Sequence, residues 1–515
     1  MINKITFLLV FSINLISGPV FAQTDPVLRI EIPAQSDEAN YKVIACGETG
    51  FLMFYQTTVA EDAYKFWVFI FYNKIMQEVW KKEIPIFDHM GFAGEDVKDD
   101  AIYLFYHNPD KKKNDSYNFQ IMKLGFAEGR YELFSGNVPD KSTFVEFEVV
   151  FPMAFVGFNL EDQKAGFYRY DLNKKEFGLL TEFTETPARI EDIYTDEVTS
   201  EIFAIYNVHL TKTEQYLDVR EYSPDGTDSG KTLIRPVEGK KFNTARFSRP
   251  DKNTRLIFGT FDYIKGNSID RKDYFEKSAS GFFATSFSGS DEVLIHYQDF
   301  LELENMTGYL RSKEYMQARK KAEKQEEFDE KSAVNYNLLL HDVIRRDSLF
   351  YFIGEAYYED YHTVTSTYYD YYGRAVPVSY TVFDGYRYFN AFISCYNQHA
   401  VKLWDNGMEI FNLLTFDLSN RVNILFDKND IVLAYNYEGK IGAKIIDGPN
   451  VVEGVEYYPL ETLYGNDKII SDTKGNMRPW YDNYFLAWGF QTIRNNSLIN
   501  NNKRTVFYIN KVAFE

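Results

Sequence analysis

Histidine is the residue best suited to bind a metal or to transfer a proton near neutral pH, and this 515-residue chain has seven. They are His89, His107, His209, His296, His341, His362 and His399. None of them forms the His-x-x-x-His or His-x-His spacing of a zinc site. The pair His341-Asp342 is typical of a polar strand edge, because further metal ligands are missing around it. The sequence therefore predicts no metal site.

Local motifs for nucleophilic catalysis and for nucleotide binding are also absent from the sequence. No Gly-x-Ser-x-Gly elbow occurs, which argues against an α/β-hydrolase domain. No glycine-rich phosphate-binding loop occurs, so we expect no nucleotide and no other cofactor. The oxygen-rich segments Asp225–Asp228 and Asp427–Asp430 do not match a calcium loop, and ordinary hairpin turns explain both.

The 75 acidic side chains leave carboxylate chemistry open. A glycosidase uses two carboxyl groups about 5–10 Å apart across the sugar. In a protein built from repeats, these two groups would come from different repeats and would form no local motif. The missing motifs are therefore weak evidence against glycan chemistry.

The segment 357–388 is the most informative stretch for function, because it holds ten tyrosines. These are Tyr357, Tyr358, Tyr361, Tyr368, Tyr369, Tyr371, Tyr372, Tyr380, Tyr386 and Tyr388. The Tyr-Tyr doublets and the Val/Thr-rich middle predict a long hairpin. Successive strand residues point to opposite faces, so a doublet such as Tyr368-Tyr369 cannot place both rings in one core. We expect part of this segment to contact a protein or a glycan, although the rings could instead pair across the hairpin or pack on a neighbouring repeat.

One hairpin type recurs along the chain: a short strand, a polar turn and then a strongly apolar strand. The apolar strands begin near Phe51, Ile102, Phe155, Ile202, Leu256, Leu349, Ile431 and Tyr484. Their spacings are 51, 53, 47, 54, 93, 82 and 53 residues, so five of seven lie near 50. Many units continue with a third strand, a tight turn and a fourth strand. Four-stranded units of this kind bury their faces only against each other.

This pattern resembles a β-propeller over nearly the whole chain after its first segment. The resemblance implies an all-β fold with eight blades and a ring closed by strands from both chain ends, one of them near 27–32. Seven blades is the alternative, if the closing segment shares its blade with that first strand. The WD40, kelch and Asp-box signatures are absent, so no family within the architecture is indicated. A pair of β-sandwiches or a β-solenoid is the alternative fold.

Two insertions break the period. Segment 306–331 alternates basic and acidic side chains, and its apolar residues Leu310, Tyr315 and Ala318 fall near one helical face. It predicts a charged helical insertion, either a plain surface excursion or a lid or docking helix. The second insertion is the tyrosine-rich hairpin 357–388.

The first segment, 1–22, predicts a signal peptide. Lys4 precedes the apolar stretch Ile5–Ile16, which is shorter than the ~20 residues needed to span a bilayer. Small residues place the cleavage site between Ala22 and Gln23, and no cysteine follows that could carry a lipid. We therefore expect one domain, 23–515, that is periplasmic, secreted or at the cell surface, with no transmembrane segment after cleavage.

The net charge limits the classes of partner, and the cysteine content limits the possible disulfides. The net charge of −19 argues against nucleic acid, because phosphate binding needs a basic surface. The two cysteines, Cys46 and Cys395, exclude a disulfide-rich scaffold. They fall in units three steps apart in an eight-membered ring, so we expect no disulfide between them.

Together these features favour an exported, non-catalytic propeller that binds a protein or a glycan of the cell envelope or exterior. One alternative is a glycan-active hydrolase or lyase that uses carboxylates on the ring face. Another is a structural subunit of a cell-envelope assembly, docked through the charged insertion. Three or more Asp, Glu, Arg or His side chains at the ring axis would favour the enzyme, whereas apolar rings there would favour binding.

Overall fold

The protein is described by a computed structural model, which places residues 28–34, 40–110, 116–196, 198–211, 213–264, 274–275, 278–289, 293–303, 335–497 and 502–514. Over these ranges the chain forms strands, no α-helix, and two single turns of 3-10 helix at Gly47–Thr49 and Phe300–Glu302. None of its described helices is long and apolar enough to cross a membrane. The all-β prediction is confirmed.

The strands are short, rich in aromatic and branched residues, and separated by polar turns. In chain order they are β1 (Arg29–Pro33), β2 (Lys42–Cys46), β3 (Gly50–Glu61), β4 (Tyr64–Tyr72), β5 (Glu78–Phe87), β6 (Gly91–Val97), β7 (Ala101–His107), β8 (Phe119–Gly125), β9 (Tyr131–Gly136), β10 (Ser142–Val150), β11 (Met153–Leu160), β12 (Lys164–Asp171), β13 (Glu176–Phe183), β14 (Ala188–Thr195), β15 (Ile202–His209), β16 (Gln215–Tyr222), β17 (Asp228–Ile234), β18 (Lys240–Ser248), β19 (Thr254–Tyr263), β20 (Ser278–Ala279), β21 (Gly281–Ser288), β22 (Leu294–Asp299), β23 (Tyr336–Leu340), β24 (Ile344–Arg346), β25 (Leu349–Tyr369), β26 (Ala375–Asn397), β27 (Lys402–Thr415), β28 (Asn423–Asp427), β29 (Asp430–Tyr437), β30 (Lys440–Asp447), β31 (Asn450–Pro459), β32 (Lys468–Pro479), β33 (Tyr484–Arg494) and β34 (Lys503–Ala513).

These strands pair into eight antiparallel sheets, seven of them four-stranded. We number the sheets as blades: β2-β3-β4-β5 (blade 1), β6-β7-β8-β9 (blade 2), β10-β11-β12-β13 (blade 3), β14-β15-β16-β17 (blade 4), β18-β19-β21-β22 (blade 5), β20-β23-β25-β26-β27 with β24 on β25 (blade 6), β28-β29-β30-β31 (blade 7) and β32-β33-β34-β1 (blade 8). The chain is an eight-bladed β-propeller. All eight apolar strands identified from the sequence are the second main strand of a blade, and the seven-blade alternative is wrong.

Strands from both ends of the chain close the ring, as the sequence predicts. The first strand, β1, pairs with the last strand, β34, through partners such as Ile30↔Ile509. Blade 8 therefore takes one strand from the N-terminal part of the chain and three from the C-terminal part. This shared blade is the eighth sheet, separate from the other seven.

Aromatic and branched side chains fill the spaces between adjacent blades. Phe54 of blade 1 packs edge-on against Phe92 of blade 2, with ring centroids 5.1 Å apart. Phe105 of blade 2 stacks on Phe147 of blade 3 at 5.1 Å. Because a sheet buries its face only against the next sheet, this packing stabilises the ring as a whole.

In each blade, a polar residue ends the apolar run of the second main strand. The eight residues are Gln56, His107, Asn159, Asn207, Asp262, Glu355, Asn436 and Gln491. Several bond to the following blade. The amide of Asn159, for example, accepts from the N–H of Ile190 at 2.8 Å and donates to its carbonyl at 3.2 Å. Glu355 accepts from the N–H groups of Arg421 and Val422. Where such a bond forms, this recurring position joins consecutive blades.

Two sequence predictions fall outside the described residues. The signal peptide, 1–22, with its cleavage site between Ala22 and Gln23, lies there, and so does the charged segment 306–331. The prediction of a helical insertion is not borne out: the segment lies outside the described residues, and no α-helix is found among those that are described. The two cysteines are described: Cys46 in blade 1 and Cys395 in blade 6 are both buried and free.

Candidate binding arm and axial charged cluster

The tyrosine-rich segment forms a long hairpin, as the sequence predicts. Strands β25 and β26 pair from Leu349↔Asn397 at the blade to Tyr369↔Ala375 at the tip. In the closing turn, Asp370 accepts hydrogen bonds from the N–H groups of Tyr372 at 2.9 Å and Arg374 at 2.8 Å. Gly373 has a φ of +73° there, which glycine adopts without strain.

Residues 358–385 of this hairpin, which we name the arm, project beyond the blade. On one side, β23 stops pairing with β25 at Asn337↔Tyr357. On the other side, β27 stops pairing with β26 at Tyr386↔Thr415. Beyond these positions the arm is a two-stranded ribbon with no further strand among the described residues beside it.

The ten tyrosines divide between the blade core and solvent. Tyr357 and Tyr388 are buried at the base, where the Tyr388 hydroxyl donates to the carbonyl of Ser419 at 2.7 Å. Tyr386 is half-buried. The other seven are exposed: Tyr358, Tyr361, Tyr368, Tyr369, Tyr371, Tyr372 and Tyr380. Packing on the blade therefore explains the tyrosines at the base and does not explain the exposed rings near the tip.

The arm has two unlike faces because strand residues alternate. One face combines Tyr368 and Tyr380 with four valines: Val364, Val376, Val378 and Val382. The opposite face carries hydroxyl groups, and Thr365 and Ser379 share a hydrogen bond of 2.9 Å across the strands. Apart from Ser366 and His362, the first face is an apolar stripe that no described element covers.

The charged groups of the arm are mostly paired with other residues of the same hairpin. Arg387 bonds to Asp360 at 2.6 Å, and His362 bonds to Asp384 at 2.6 Å. At the tip, the guanidinium of Arg374 lies 5.3 Å from the centre of the Tyr372 ring. These contacts hold the ribbon in shape while leaving its tyrosines in solvent.

A second candidate site lies where the inner strands of the blades meet. Glu146 of blade 3, Asp192 of blade 4 and Asp342, which follows β23 of blade 6, bring carboxylate oxygens within 4.8 Å of one another. Arg246 of blade 5 lies 3.4 Å from Asp192 and 3.7 Å from Asp342. No local sequence motif marks this axial cluster, because each of its members comes from a different blade.

The fold explains why carboxylates collect there. Asp192 accepts from the N–H of Phe247 in the inner strand of blade 5 at 2.7 Å. Glu146 accepts from the N–H of Ile193 in blade 4 at 3.0 Å. In each case a carboxylate binds an N–H group at the inner edge of the following blade, where no ladder partner exists. Asp342 has no place in this series, and its side chain is 87% exposed.

Burial and like charge favour the protonated forms of these acids. Burial raises the pKa of Asp192 to about 7, with Arg246 opposing the shift and Asp342 adding to it. Glu148 lies two residues beyond Glu146 in β10, and burial and the neighbouring Asp96 raise its pKa to about 8. Burial raises the pKa of Glu146 well above its ordinary value, and Asp192 adds to the rise. The cluster therefore places acids with raised pKa values, Asp192 and Glu146, beside the guanidinium of Arg246.

Other blades also contribute charge near the inner strands. Arg421 of the segment before blade 7 pairs with Asp417 at 2.7 Å, and Arg478 of blade 8 pairs with Glu95 of blade 2. The inner edge of the ring is thus lined by acids and bases. Charged side chains are the lining that the sequence analysis expects of the glycan-active alternative, whereas apolar rings are the lining it expects of a binding channel.

Comparison with known proteins shows no related family. No protein-family profile matches the chain, and no curated protein matches it. Solved structures match along most of the chain at low identity. The polysaccharide lyase Uly1 is 9% identical, covers 95% of this chain and 99% of its own, and has a TM-score of 0.38.

Two further structures match over similar lengths. The β-propeller domain of the Trilobed protease from Pyrococcus furiosus is 7% identical, with 82% of this chain and 93% of that one covered and a TM-score of 0.35. Sqt1 from Saccharomyces cerevisiae is 8% identical, with 94% and 98% covered and a TM-score of 0.40. Likenesses this weak carry no functional argument, and the sheet topology alone establishes the propeller.

Proposed function

We propose that this protein is an exported propeller that captures a protein or glycan partner on its arm. The observation that carries the proposal is the exposure of the tip tyrosines, which ranges from 54% at Tyr368 to 96% at Tyr371. An exposed apolar surface of this kind marks an interaction site more often than it serves stability. Tyrosine suits the role, since it offers a large ring and a hydroxyl at low conformational cost.

The test replaces Tyr368, Tyr369, Tyr371 and Tyr372 by Ser. Because these rings pack on nothing in the blade, the melting temperature should stay within a few degrees of wild type. Capture on a glycan array, or in a pull-down from envelope extract, should be lost. Normal capture by the variant would contradict the proposal, and so would unfolding, because it would assign the rings to packing.

A matched control uses an exposed tyrosine far from the arm. Tyr131, in the outer strand of blade 2, is 43% exposed. Tyr131→Ser removes the same kind of ring without changing the net charge. Its capture should equal that of wild type, so a loss in this control as well would show that the assay responds to general surface changes.

The axial cluster supports a second candidate, a glycan-active hydrolase. The observation that favours it is the convergence of three carboxylates and Arg246 within one small region. A glycosidase needs one protonated carboxyl group as acid and one ionised carboxylate as base or nucleophile. The raised pKa of Asp192, to about 7, suits the acid, and Asp342, which is exposed and lies beside it, is the candidate for the second carboxyl group.

Asp342→Asn tests this candidate with little risk to the fold, because the side chain is exposed. The measurement is the release of reducing ends from a panel of envelope polysaccharides. Activity that falls at least about a hundredfold in the variant would support catalysis, as expected for the loss of an acid–base group. No activity in the wild type, or equal activity in both proteins, would contradict it.

A further inference from the structure

Among the described residues, no strand pairs with the outer edge of β25 along the arm. From Tyr358 to Tyr369 this strand pairs only with β26, and no described strand lies on its other side. All twelve residues of the run keep a backbone N–H, whereas the opposite strand contains Pro377. A strand edge of this kind offers its N–H and C=O groups to an extended segment of another chain.

The charge of the arm selects against an acidic partner. Residues 358–385 contain Glu359, Asp360, Asp370 and Asp384, against the single arginine Arg374. Arg387, just beyond the arm, neutralises Asp360. The whole chain carries a net charge of −19, which adds a long-range attraction for cations. A basic partner would therefore associate faster and bind better than a neutral or acidic one.

The tip already shows how a cation would be held. The guanidinium of Arg374 lies over the face of Tyr372, which is a cation–π contact. Tyr368, Tyr369 and Tyr371 are exposed beside it. These rings present further faces on which Lys or Arg side chains of a partner could stack.

From these three features we propose that the arm binds an extended polypeptide rich in Lys or Arg, which adds as a strand to the free edge of β25. Backbone hydrogen bonds along the edge hold the segment, and its cationic side chains stack on Tyr368, Tyr369 and Tyr371. This inference rests on the proposed binding role of the arm and names its partner. A neutral glycan would use the rings but would gain nothing from the strand edge or from the negative charge.

The experiment measures binding by fluorescence anisotropy of labelled peptides to the full chain that follows the predicted cleavage site. The probes are a twelve-residue peptide of alternating Lys and Thr and its Glu/Thr counterpart. We expect the Lys/Thr peptide to bind, with an affinity that falls with added salt, and the Glu/Thr peptide not to bind. Binding should weaken about tenfold or more when Ser replaces Tyr368, Tyr369, Tyr371 and Tyr372. It should be preserved when Phe replaces them, because Phe keeps the aromatic face.

Control variants separate the arm from the general negative charge of the protein. Tyr131→Ser and Tyr464→Ser remove exposed rings elsewhere at unchanged net charge and should bind the Lys/Thr peptide like wild type. Equal binding of the two peptides, or full binding by the arm variant with Ser, would overturn the inference.

The same variants distinguish failure of this inference from failure of the proposed function. If glycan or extract capture depends on the four tyrosines but the Lys/Thr peptide does not bind, the arm is a binding surface and the basic polypeptide is the wrong partner. If neither capture nor peptide binding depends on them, both proposals fail.

Discussion

Glu355 offers the sharpest test of how the arm is fixed to the ring, because its carboxylate is fully buried between blades 6 and 7. It accepts from the N–H of Arg421 at 2.8 Å and from the N–H of Val422 at 3.0 Å. The ring nitrogen Nε2 of His341 lies 2.7 Å from the same carboxylate. The arm begins three residues later, at Tyr358.

The expected loss can be worked from these bonds. Glu355→Ala leaves two buried N–H groups without an acceptor, and each unsatisfied group costs about 1–3 kcal/mol. The free energy of unfolding should therefore fall by about 2–6 kcal/mol, with the lower end reached if water enters the space left by the side chain. Glu355→Gln keeps one acceptor oxygen and should lie between Glu355→Ala and wild type.

The assay is urea unfolding followed by the fluorescence of the five tryptophans. Glu359, four residues further along the same strand, is exposed and provides the control. Glu359→Ala should change the free energy of unfolding by no more than about 0.5 kcal/mol. The reasoning is refuted if Glu355→Ala costs less than about 1 kcal/mol, or if both alanine variants cost the same.

Three further predictions concern the axis, the cysteines and one strand start. Burial raises the folded-state pKa of Glu148 to about 8, above the 4.5 of the free group. The contribution of this group to stability is therefore complete below pH 4.5 and is lost as the pH rises through 8. In urea unfolding between pH 5 and 9, Glu148→Gln should show a smaller loss of stability with rising pH than wild type. Thiol titration of the unfolded, unreduced protein should find two free thiols, from Cys46 and Cys395, and a count of zero would contradict the separation of blades 1 and 6. Gly50→Ala should lower the melting temperature strongly, because Gly50 has a φ of +143° and a Cβ there would lie 1.9 Å from the carbonyl oxygen of Tyr72; an unchanged melting temperature would show that the start of β3 shifts freely.

The sequence reveals the fold well because each blade repeats one local pattern. The second strands are buried on both faces and read as near-continuous apolar runs, such as Phe51–Tyr55 and Ile202–Tyr206. Their positions predict eight blades with seven as the alternative, and the pairing of β1 with β34 in a separate eighth sheet decides for eight. The tyrosine doublets also predict the arm, since Tyr368 and Tyr369 point to opposite faces of a strand and both are exposed.

The axial cluster could not be predicted in the same way. Glu146, Asp192, Arg246 and Asp342 lie 46, 54 and 96 residues apart in turn, and only the closure of the ring brings them together. The sequence did contain a signal for a different feature, the bonds between consecutive blades. Each apolar run ends in Gln, His, Asn, Asp or Glu, and at several of these positions, such as Asn159 and Glu355, the polar side chain bonds to the next blade.

Charge at the axis does not by itself require catalysis, because the fold already uses most of it. Glu146 and Asp192 bind N–H groups of the following blade, and such carboxylates would be needed in a ring without any activity. Asp342 differs, since its side chain is exposed and lies outside any strand. A purely structural cluster predicts that Asp342→Asn changes neither stability nor turnover, whereas an active site predicts that turnover alone is lost. Asp342 is therefore the residue whose replacement separates the two roles of the axis.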